Sequence, residues 1–364
     1  MKKIKHFITS LLSAVSILAA LLMVGVGYSD RLDPTDYPVL ACAGMLFPAF
    51  IMLNIGILVF WLLVGWRRAM IPIVGLVLCY TPIRTFFPLH FNNDEVPDEA
   101  LKVMSYNVCG YSGLKRVDQP VDSIVDYLRR EMPDIVCLQE DYRHTPDPFE
   151  QLKSVFPYND TVHVNHNRSG EMNAVGVHAR FPIVRKEYIP YESKSNGSAA
   201  FFLLVDGDTV VVINNHLESF HLSPEDKQQY KDMLKGRMER DSAQAETRFL
   251  VDKLSKAQAI RAPQARAIHD YIERHRHLPI IVCGDFNDTP ISYARHTIGQ
   301  GLTDCFVEAG CGLGLSYNQK GFNFRIDQIM CSNHYVPLRC IVESKIGLSD
   351  HYPVICWLKI VEKS

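Results

Sequence analysis

Long uncharged apolar runs fill the first ninety residues, and they limit the folds open to this chain more than any other feature. Residues 7–28 form a run of 22 without a single charge. An α-helix rises about 1.5 Å per residue, so such a run can cross the roughly 30 Å hydrocarbon core of a bilayer. A cleaved signal peptide is the alternative, but its apolar core is usually about 7–15 residues long and a small-residue cleavage site follows it. No such site follows here, which favours a retained membrane anchor.

Two further apolar runs follow the first. Residues 38–64 are uncharged, and Asn54 within them is expected to bond to a neighbouring helix. Residues 69–88 are a weaker candidate, because two prolines and Arg84 interrupt them and the arginine would have to reach an interface. The sequence therefore predicts an anchor over residues 1–91 with about three transmembrane helices, 7–28, 38–64 and 69–88.

The charges of the short loops predict how this anchor is oriented. Three lysines precede the first run, and Arg67 and Arg68 separate the second run from the third. The loop 29–37 carries three aspartates against one arginine. Basic loops stay in the cytoplasm, so three crossings would place the rest of the chain on the extracytoplasmic side. If the third run does not insert, the rest of the chain lies inside.

The remainder of the chain reads as an acidic linker, 92–100, and a domain of ordinary soluble composition, 101–364. Residues 1–100 hold seven basic and seven acidic residues, which leaves 31 basic against 33 acidic residues for the domain. There is no basic surplus to hold a long polyanion, and this weighs against a tight DNA binder.

Ten cysteines are scattered along the chain without a CxxC pair, so a zinc site is not expected. In an oxidising compartment, Cys305 could pair with Cys311, and Cys331 could pair with Cys340 or Cys356. The sequence does not choose among these pairings or exclude that all ten remain thiols.

Four predicted strands of the domain end in polar side chains. The clearest is 280–283, an apolar run that stops at Gly284 and is followed by Asp285, Asn287 and Asp288. The others are 101–108 with Asn107 near its end, 135–138 followed by Glu140, and 209–214 with Asn214 at its end and His216 beyond it. A buried strand that presents a carboxylate or an amide at its end places a reactive group on a rigid support. Each case taken alone also fits an ordinary Asp/Asn turn or a loop histidine.

Two further carboxylates lie near the C-terminus. Asp327 lies between apolar residues of a predicted strand, 322–330, where a carboxylate is costly to bury without a partner. Asp350 and His351 precede a last apolar strand, 354–358. A buried aspartate beside a histidine fixes the imidazole tautomer and stabilises its charged form.

The predicted helices are 120–130, 150–156 and a long charged region, 222–276, in which Ser223 is a plausible N-cap and 261–275 is the last helix. The charge of that region most simply marks a solvated helical face. A lid, or a helix lying on the membrane, is the alternative. A turn at Asp206-Gly207-Asp208 predicts a β-hairpin between 200–205 and 209–214.

Taken in order, the segments SYNV, LQE, NNHLES, GDFND, RIDQI and SDHYPV resemble the motif set of the endonuclease/exonuclease/phosphatase superfamily, the metal-dependent phosphoesterases related to DNase I and exonuclease III. The resemblance covers roughly residues 101–360. It implies an α+β fold, a four-layer α/β sandwich in which two mostly antiparallel sheets pack together between helices. The strand and helix pattern alone does not distinguish this fold from a parallel-sheet enzyme.

The resemblance also implies a metal site. Glu140 matches the family's ligand, with Asn107 and Asp350 close to it in the pattern. Magnesium prefers such oxygen ligands, so Mg²⁺ is the expected cofactor and Mn²⁺ the alternative. Asp285 matches the residue that orients and deprotonates the attacking water, and Asn287 would hold that water or contact the phosphoryl oxygens.

The remaining roles follow from the same resemblance. Asp327 would orient His351, and the charged His351 would bind the phosphoryl group. His216 would contact the phosphate or assist the leaving group, while Asn173 and Asn214 are the expected substrate-binding residues. The pattern gives Asp288 no catalytic role, so it is interpreted as a turn residue.

One departure concerns residues 198–202, which lack an arginine that many relatives carry and so leave the phosphate contacts incomplete. The longer signatures of the inositol-phosphatase subgroup are also absent. The expected function is a membrane-anchored, Mg²⁺-dependent phosphodiesterase that uses direct attack by water. A nuclease or phosphomonoesterase with the same site, or a catalytically silent module that binds a membrane partner, are the alternatives. The expected partners are the lipid bilayer and a phosphoester, namely a lipid head group, a nucleic acid or a small molecule, and no protein partner is indicated.

Overall fold

A computed structural model describes most of the chain: residues 2–90, 96–111, 120–141, 148–166, 172–235, 237, 239–319 and 322–361. The helices in this part are α1 Lys2–Gly27, α2 Pro38–Ala41, α3 Phe47–Val64, α4 Met70–Leu78, α5 Tyr80–Phe86, α6 Pro120–Glu131, α7 Pro148–Leu152, α8 Pro224–Leu234, α9 Arg240–His275, α10 Tyr293–Ile298 and α11 Cys305–Ala309. The strands are β1 Leu101–Asn107, β2 Ile135–Gln139, β3 Tyr158–His166, β4 Met172–Ala179, β5 Ile183–Ile189, β6 Gly197–Val205, β7 Asp208–His216, β8 Ile280–Asp285, β9 Thr303–Asp304, β10 Tyr317–Gln319, β11 Phe322–Phe324, β12 Asp327–Cys331, β13 Tyr335–Val342 and β14 Val354–Ile360.

The N-terminal helices agree with the predicted apolar runs. Two helices are long and apolar enough to cross a membrane, α1 and the segment Pro38–Val64 that contains α2 and α3. A third crossing is available if α4 and α5, which meet at an angle of 63°, act as one broken span. The Asn54 amide donates to the Ala19 carbonyl oxygen of the neighbouring helix at 3.2 Å, as predicted.

Two six-stranded mixed sheets form the centre of the C-terminal part. The order in the first is β13-β14-β1-β2-β4-β3, and in the second it is β5-β6-β7-β8-β12-β9. Each sheet contains one parallel pair at its centre, β1 with β2 and β7 with β8, and the other pairings are antiparallel. This confirms the predicted fold of two mostly antiparallel sheets, and the hairpin between β6 and β7 lies where the Asp-Gly turn predicts it.

Alternate strand residues fill the space between the two sheets, as the period of two along a strand requires. Val103 and Cys137 from the first sheet pack with Phe201, Val212 and Ile281 from the second. On the outer face of the second sheet, α9 and α10 cover a separate apolar cluster. On the outer face of the first sheet, α6 does the same. The result is four layers, with helices on both outer surfaces.

The predicted single strand over 322–330 is wrong. Phe322–Phe324 pairs with β10 in a separate two-stranded ribbon, and β12 begins only at Asp327. The Ser316 hydroxyl accepts hydrogen bonds from the amides of Ile326 and Asp327, both at 3.1 Å, and thereby removes them from a continuous ladder. Asp327 is therefore the first residue of a strand rather than its middle.

The long charged region contains two helices, α8 and α9. A capping box begins α8: the Ser223 amide donates to the Asp226 carboxylate at 2.7 Å, and the Asp226 amide donates to the Ser223 hydroxyl at 3.1 Å. This confirms the predicted N-cap. A separate last helix over 261–275 is wrong, because α9 runs unbroken through Pro263. On either side of the proline, the Gln258 amide donates to Asp288 and the Gln264 side-chain oxygen accepts from the Glu218 amide, so this part of α9 is bonded to the segments that follow β7 and β8.

All ten cysteines are free thiols, so none of the three candidate disulfides is formed. Cys305 lies against Cys331, with the two sulfurs 3.8 Å apart, and not against Cys311. Both are buried between the sheets, whereas Cys311 is exposed.

The loop between α1 and α2 contacts the C-terminal part directly. The Arg266 guanidinium of α9 donates to the Asp33 carboxylate at 2.5 Å, and the Tyr293 hydroxyl of α10 lies 3.2 Å from the same carboxylate. His296 lies 3.6 Å from the Asp30 carboxylate. These contacts tie the loop to the helices that cover the second sheet.

A second set of contacts ties the C-terminal part to the apolar helices. Ile291, which follows β8 by six residues, is 1% exposed and packs with Met23, Val26 and Phe47. At the end of α5 the Arg84 guanidinium donates to the Glu308 carboxylate at 2.6 Å. Residues 92–95 of the predicted linker lie outside the described part of the chain.

Candidate active site

The central parallel strand pairs bring the polar strand ends together. In the first sheet Asn107 lies beside Gln139, which Glu140 follows, and in the second sheet His216 lies beside Asp285. The two sheets meet at this edge, because the Asn107 amide donates to the Glu140 carboxylate at 3.2 Å and to the Asp285 carboxylate at 3.1 Å. A single network therefore joins residues that are far apart in the sequence.

His216 lies between two carboxylates. Its Nε2 atom is 3.8 Å from Glu140 Oε1 and 3.7 Å from Asp285 Oδ2. Burial lowers the pKa of His216 to about 3, and the charge of His351 lowers it further. His216 is therefore a neutral imidazole, which can donate one hydrogen bond and accept another.

His351 has the opposite charge state. Its Nδ1 atom is 2.9 Å from Asp327 Oδ2, and its Nε2 atom is 3.6 Å from Asp285 Oδ2. Burial opposes protonation, but the carboxylates of Asp327 and Asp285 outweigh it and hold the pKa of His351 well above its ordinary value. The arrangement gives an imidazolium fixed between two carboxylates.

Asp285 is 1% exposed, and burial raises its pKa to about 7, with the charge of Asp327 adding to the rise and the charge of His351 opposing it. The backbone amide of Asn287 donates to Asp285 Oδ1 at 2.8 Å. That amide is placed by the left-handed conformation of Asn287, with φ of +51°, which asparagine tolerates better than most residues. The Asn287 side chain donates to the Leu217 carbonyl oxygen at 3.0 Å.

Asp350 is held beside the network by a hydrogen bond of its own backbone and by one from the neighbouring Ser349. The Ser349 hydroxyl donates to the Asn107 carbonyl oxygen at 2.8 Å, which fixes the segment against the end of β1. The Asp350 carbonyl oxygen accepts from the amide of Asn318 at 2.7 Å. The structure thus brings Asn107, Glu140, His216, Asp285, Asn287, Asp327, Asp350 and His351 to one edge of the sandwich.

The two predicted substrate-binding asparagines have other contacts. Asn214 is fully buried between the sheets, and its amide donates to the carbonyl oxygens of Leu138 and Gly176, both at 2.8 Å. Asn173 is 2% exposed and donates to the carbonyl oxygen of Ser195 at 2.9 Å. Both amides hold neighbouring strands and loops, and neither joins the network of carboxylates and histidines.

Asp288, interpreted from the sequence as a turn residue, does lie in a bend, but its side chain has a further role. It is fully buried, and its carboxylate accepts from Arg261 Nε at 3.1 Å and from the Gln258 amide at 2.9 Å. The arginine lies 27 positions earlier, on α9, so no local sequence pattern predicts this ion pair. The Asp288 carboxylate is a buried ion-pair partner that attaches the segment after β8 to the helix.

Two residues that the sequence did not single out lie against the site. The Tyr317 ring packs edge-on against the His351 ring, with ring centroids 5.0 Å apart. The Lys227 ammonium donates to the Tyr317 hydroxyl at 2.8 Å. Neither residue belongs to a motif with a recognisable spacing, so the sequence carries no signal for them.

The donor atoms at this edge fit a divalent cation. Atoms of Asp285, Asp327 and His351 lie within 4.8 Å of one another, but the short bond between Asp327 and His351 would have to break if a cation took their place. The Glu140 carboxylate, which is 28% exposed, offers a hard oxygen donor that solvent can reach. Several carboxylates face one imidazolium here, and that excess of negative charge favours a cation bound on the Glu140 side.

Each of the two parts of the chain matches a family model. Residues 104–351 match the Endonuclease/Exonuclease/phosphatase family, and residues 9–86 match a domain of unknown function. No curated protein matches the chain.

Several solved structures share the fold at low sequence identity. An endonuclease/exonuclease/phosphatase from Beutenbergia cavernae is 18% identical with a TM-score of 0.52, over 72% of either chain. The catalytic domain of human nocturnin is 16% identical with a TM-score of 0.51, over 73% of this chain and 97% of that one. A humanized TDP2 of D. rerio is 16% identical with a TM-score of 0.50, over 71% of this chain and 99% of that one.

The fold and the strand-end network therefore define a phosphoester-hydrolysing enzyme. This chain belongs to the Endonuclease/Exonuclease/phosphatase family, whose model covers more than half of its length. Enzymes of this family generally use a divalent metal ion.

Proposed function

We propose that this protein is a membrane-anchored, Mg²⁺-dependent phosphodiesterase that hydrolyses its substrate by direct attack of water. The observation that carries the proposal is the meeting of Asp285 with the Asp327–His351 pair and with Glu140 across the edge of the two sheets. This arrangement supplies a base, a fixed cation and an oxygen ligand around one point.

Glu140 would hold the metal ion, with Asn107 and Asp350 as the neighbouring oxygen donors. A bound Mg²⁺ would polarise the phosphoryl oxygens and offset the charge that develops on them. The positive φ of Glu140, +53°, supports a functional role, because strained non-glycine conformations persist mainly where function requires them.

Asp285 would take the proton from the attacking water. A base works best when its pKa lies near the working pH, and burial raises the pKa of Asp285 to about 7. The Asn287 amide fixes one carboxylate oxygen of Asp285, and its side chain would contact the water or the phosphoryl oxygens.

The two histidines would have different roles toward the substrate. His351, held charged by Asp327, would bind the phosphoryl oxygens. His216, a neutral imidazole within 4 Å of both Glu140 and Asp285, would contact the phosphate or assist the leaving group by donating a hydrogen bond. Asn173 and Asn214 would act on the substrate only indirectly, through the strands and loops that they hold.

The anchor would comprise residues 1–91 and the catalytic domain residues 101–364, joined by 92–100. The contact of Asp33 with Arg266 supports three crossings. Loop 29–37 follows the first crossing, so it lies on the same side of the membrane as the catalytic domain only if α4 and α5 together cross as well. With the basic loops in the cytoplasm, the catalytic domain would be extracytoplasmic.

An anchored site meets a substrate at the membrane surface at a high effective concentration, which favours a lipid head group or another surface phosphodiester over free nucleic acid. The absence of a basic surplus in residues 101–364 agrees with this preference. The substrate class is best settled by a panel of phosphoesters.

The experiment is a turnover assay of the full-length protein in detergent with Mg²⁺. The panel holds bis-p-nitrophenyl phosphate, p-nitrophenyl phosphate, DNA and phospholipid vesicles. We expect hydrolysis of a phosphodiester that stops on addition of EDTA and returns with Mg²⁺. If the wild-type protein turns over none of the four substrates, the proposed enzymatic function is wrong. If activity persists in EDTA, the proposed dependence on a metal ion is wrong.

The orientation has its own test. Protease added to intact spheroplasts should digest the catalytic domain when three segments cross the membrane. Full protection of that domain until the membrane is opened would contradict the extracytoplasmic placement.

A further inference from the structure

A lysine on α8 lies over the active site and has no role in the chemistry described above. The Lys227 ammonium donates to the Tyr317 hydroxyl at 2.8 Å and lies 5.4 Å from the centroid of the Tyr317 ring. The same ring packs edge-on against His351 at 5.0 Å. The ammonium is thus separated from the imidazolium by a single aromatic side chain.

Tyr317 is held rigidly against the site. Its backbone pairs with His351 in an isolated antiparallel bridge, and the next residue, Asn318, donates its amide to the Asp350 carbonyl oxygen at 2.7 Å. On the other side the Tyr352 amide donates to the Ser316 carbonyl oxygen at 2.6 Å. The Tyr317 hydroxyl therefore has a fixed place beside the phosphoryl-binding histidine, and it fixes the ammonium in turn.

The helix that carries Lys227 is fastened near its first turn. Asp226 closes the capping box with Ser223 and also accepts from the Lys253 ammonium of α9. These bonds hold the N-terminal end of α8, where Lys227 lies, at a fixed distance from α9. Lys227 is therefore positioned from both sides, by Asp226 through the backbone and by Tyr317 through its hydroxyl.

The ammonium retains hydrogen-bonding capacity. It has three donors, and Tyr317 is its one hydrogen-bond acceptor among the described residues. Burial lowers the pKa of Lys227, and the Asp350 carboxylate opposes that change. A half-buried cation with donors to spare, one aromatic ring away from the proposed phosphoryl-binding histidine, is suited to bind an anionic oxygen.

We propose that Lys227 and Tyr317 form a binding subsite for an anionic phosphoryl oxygen of the substrate. This inference rests on the proposed function and names a part of the site that the family motifs do not contain. It would also supply the cation that is missing at residues 198–202, from a different element of the fold. Because the contact is made in the bound substrate, its loss should raise KM more than it lowers kcat.

The test compares full-length variants in detergent on bis-p-nitrophenyl phosphate. Loss of a charge-assisted hydrogen bond should raise KM about 10- to 100-fold in Lys227→Ala, with kcat changed much less. Lys227→Arg should recover most of the affinity, and Tyr317→Phe should raise KM by a smaller factor because it only frees the ammonium. Lys235→Ala, which removes an exposed lysine just beyond the end of α8, is the matched control and should behave as wild type.

A binding measurement separates this inference from the proposed function. Calorimetry with dimethyl phosphate, a phosphodiester of very low reactivity, reports Kd even if the protein turns over no substrate. We expect a weaker Kd in Lys227→Ala and an unchanged Kd in Lys235→Ala. An unchanged Kd and KM in Lys227→Ala would overturn the subsite while leaving the enzyme intact, and an arginine variant as impaired as the alanine variant would show that Lys227 acts only through the fold.

Discussion

Asp285 and Asp288 are three residues apart in one segment, both are buried, and their surroundings differ. Asp285 faces the edge where the two sheets meet, and there the Asn107 and Asn287 amides contact its carboxylate, while His216 and His351 lie 3.6 to 3.7 Å away. Asp288 faces α9, where a guanidinium and a side-chain amide contact it.

Burial alone does not distinguish a candidate catalytic carboxylate from a structural one. The groups that contact each carboxylate do distinguish them. Burial raises the pKa of Asp285 to about 7 and also raises the pKa of Asp288. At Asp288 the Arg261 guanidinium opposes the rise and compensates the charge in place. At Asp285 no guanidinium is bonded to the carboxylate, and the cation that it faces, His351, lies 3.6 Å away and is bonded to Asp327 instead. One side of this segment thus lies at the candidate active site, and the other side attaches it to α9.

The largest effect should come from Asp285→Asn, which keeps the shape of the side chain and removes the base. We expect kcat to fall by up to about 10⁴-fold, since general-base catalysis contributes roughly 10²- to 10⁴-fold. The fold should be retained, because His351 loses one of its two neighbouring carboxylates but keeps its 2.9 Å contact with Asp327. Steady-state kinetics on a phosphodiester, together with thermal unfolding, test this, and wild-type kcat in the variant would rule out Asp285 as the base.

Asp288→Asn should show the opposite pattern. It leaves the Arg261 guanidinium buried without its anion, which typically costs about 3–5 kcal/mol of folding stability. Any loss of activity should follow from the unfolded fraction, so kcat per folded molecule should stay near wild type at low temperature. If stability is unchanged while kcat collapses, the contrast between the two aspartates is wrong.

A third residue of the segment, Ile291, packs against the apolar N-terminal helices. Ile291→Ala should destabilise the protein by about 2–4 kcal/mol, because it opens a cavity among Met23, Val26 and Phe47. Ile291→Val removes one methylene and should cost only about 1 kcal/mol. Equal unfolding temperatures for wild type and both variants would show that the segment is not packed against the apolar helices.

The smallest effect concerns pH. In an unfolded chain Asp285 ionises near pH 4, whereas burial raises its pKa in the folded protein to about 7. Between these values the folded protein keeps the proton and the unfolded chain does not, so stability falls as pH rises. Relative to Asp285→Asn, metal-free wild type should lose about 1.4 kcal/mol between pH 5 and pH 6 and little more above pH 7. A difference that grows in the other direction would contradict the raised pKa.

The sequence predicts one side of this comparison well. Asp285, Glu140 and His216 follow apolar runs with only one or two residues between, and a buried strand with a polar end is a local pattern. The ordered motifs then identify the fold and bring these strand ends together. The sequence alone therefore predicts that these side chains meet at one edge of the sandwich.

The other side was not predictable, because its contacts are tertiary. No residue near Asp288 in the sequence indicates its pairing with Arg261, and the predicted last helix over 261–275 proved to be the end of one long helix, Arg240–His275. Lys227 reaches the site only because α8 is fastened to α9. The division of 322–330 at Asp327 likewise depends on a serine hydroxyl eleven residues away.

The contact between Asp33 and Arg266 has a kinetic consequence for a chain inserted in a bilayer. In the proposed membrane-anchored enzyme, a domain fastened to its anchor in this way would keep a constant height above the lipid and would meet a membrane substrate by lateral diffusion alone. Its rate would then follow the number of substrate molecules per unit area of membrane, and diluting the membranes in a larger volume would leave that rate unchanged.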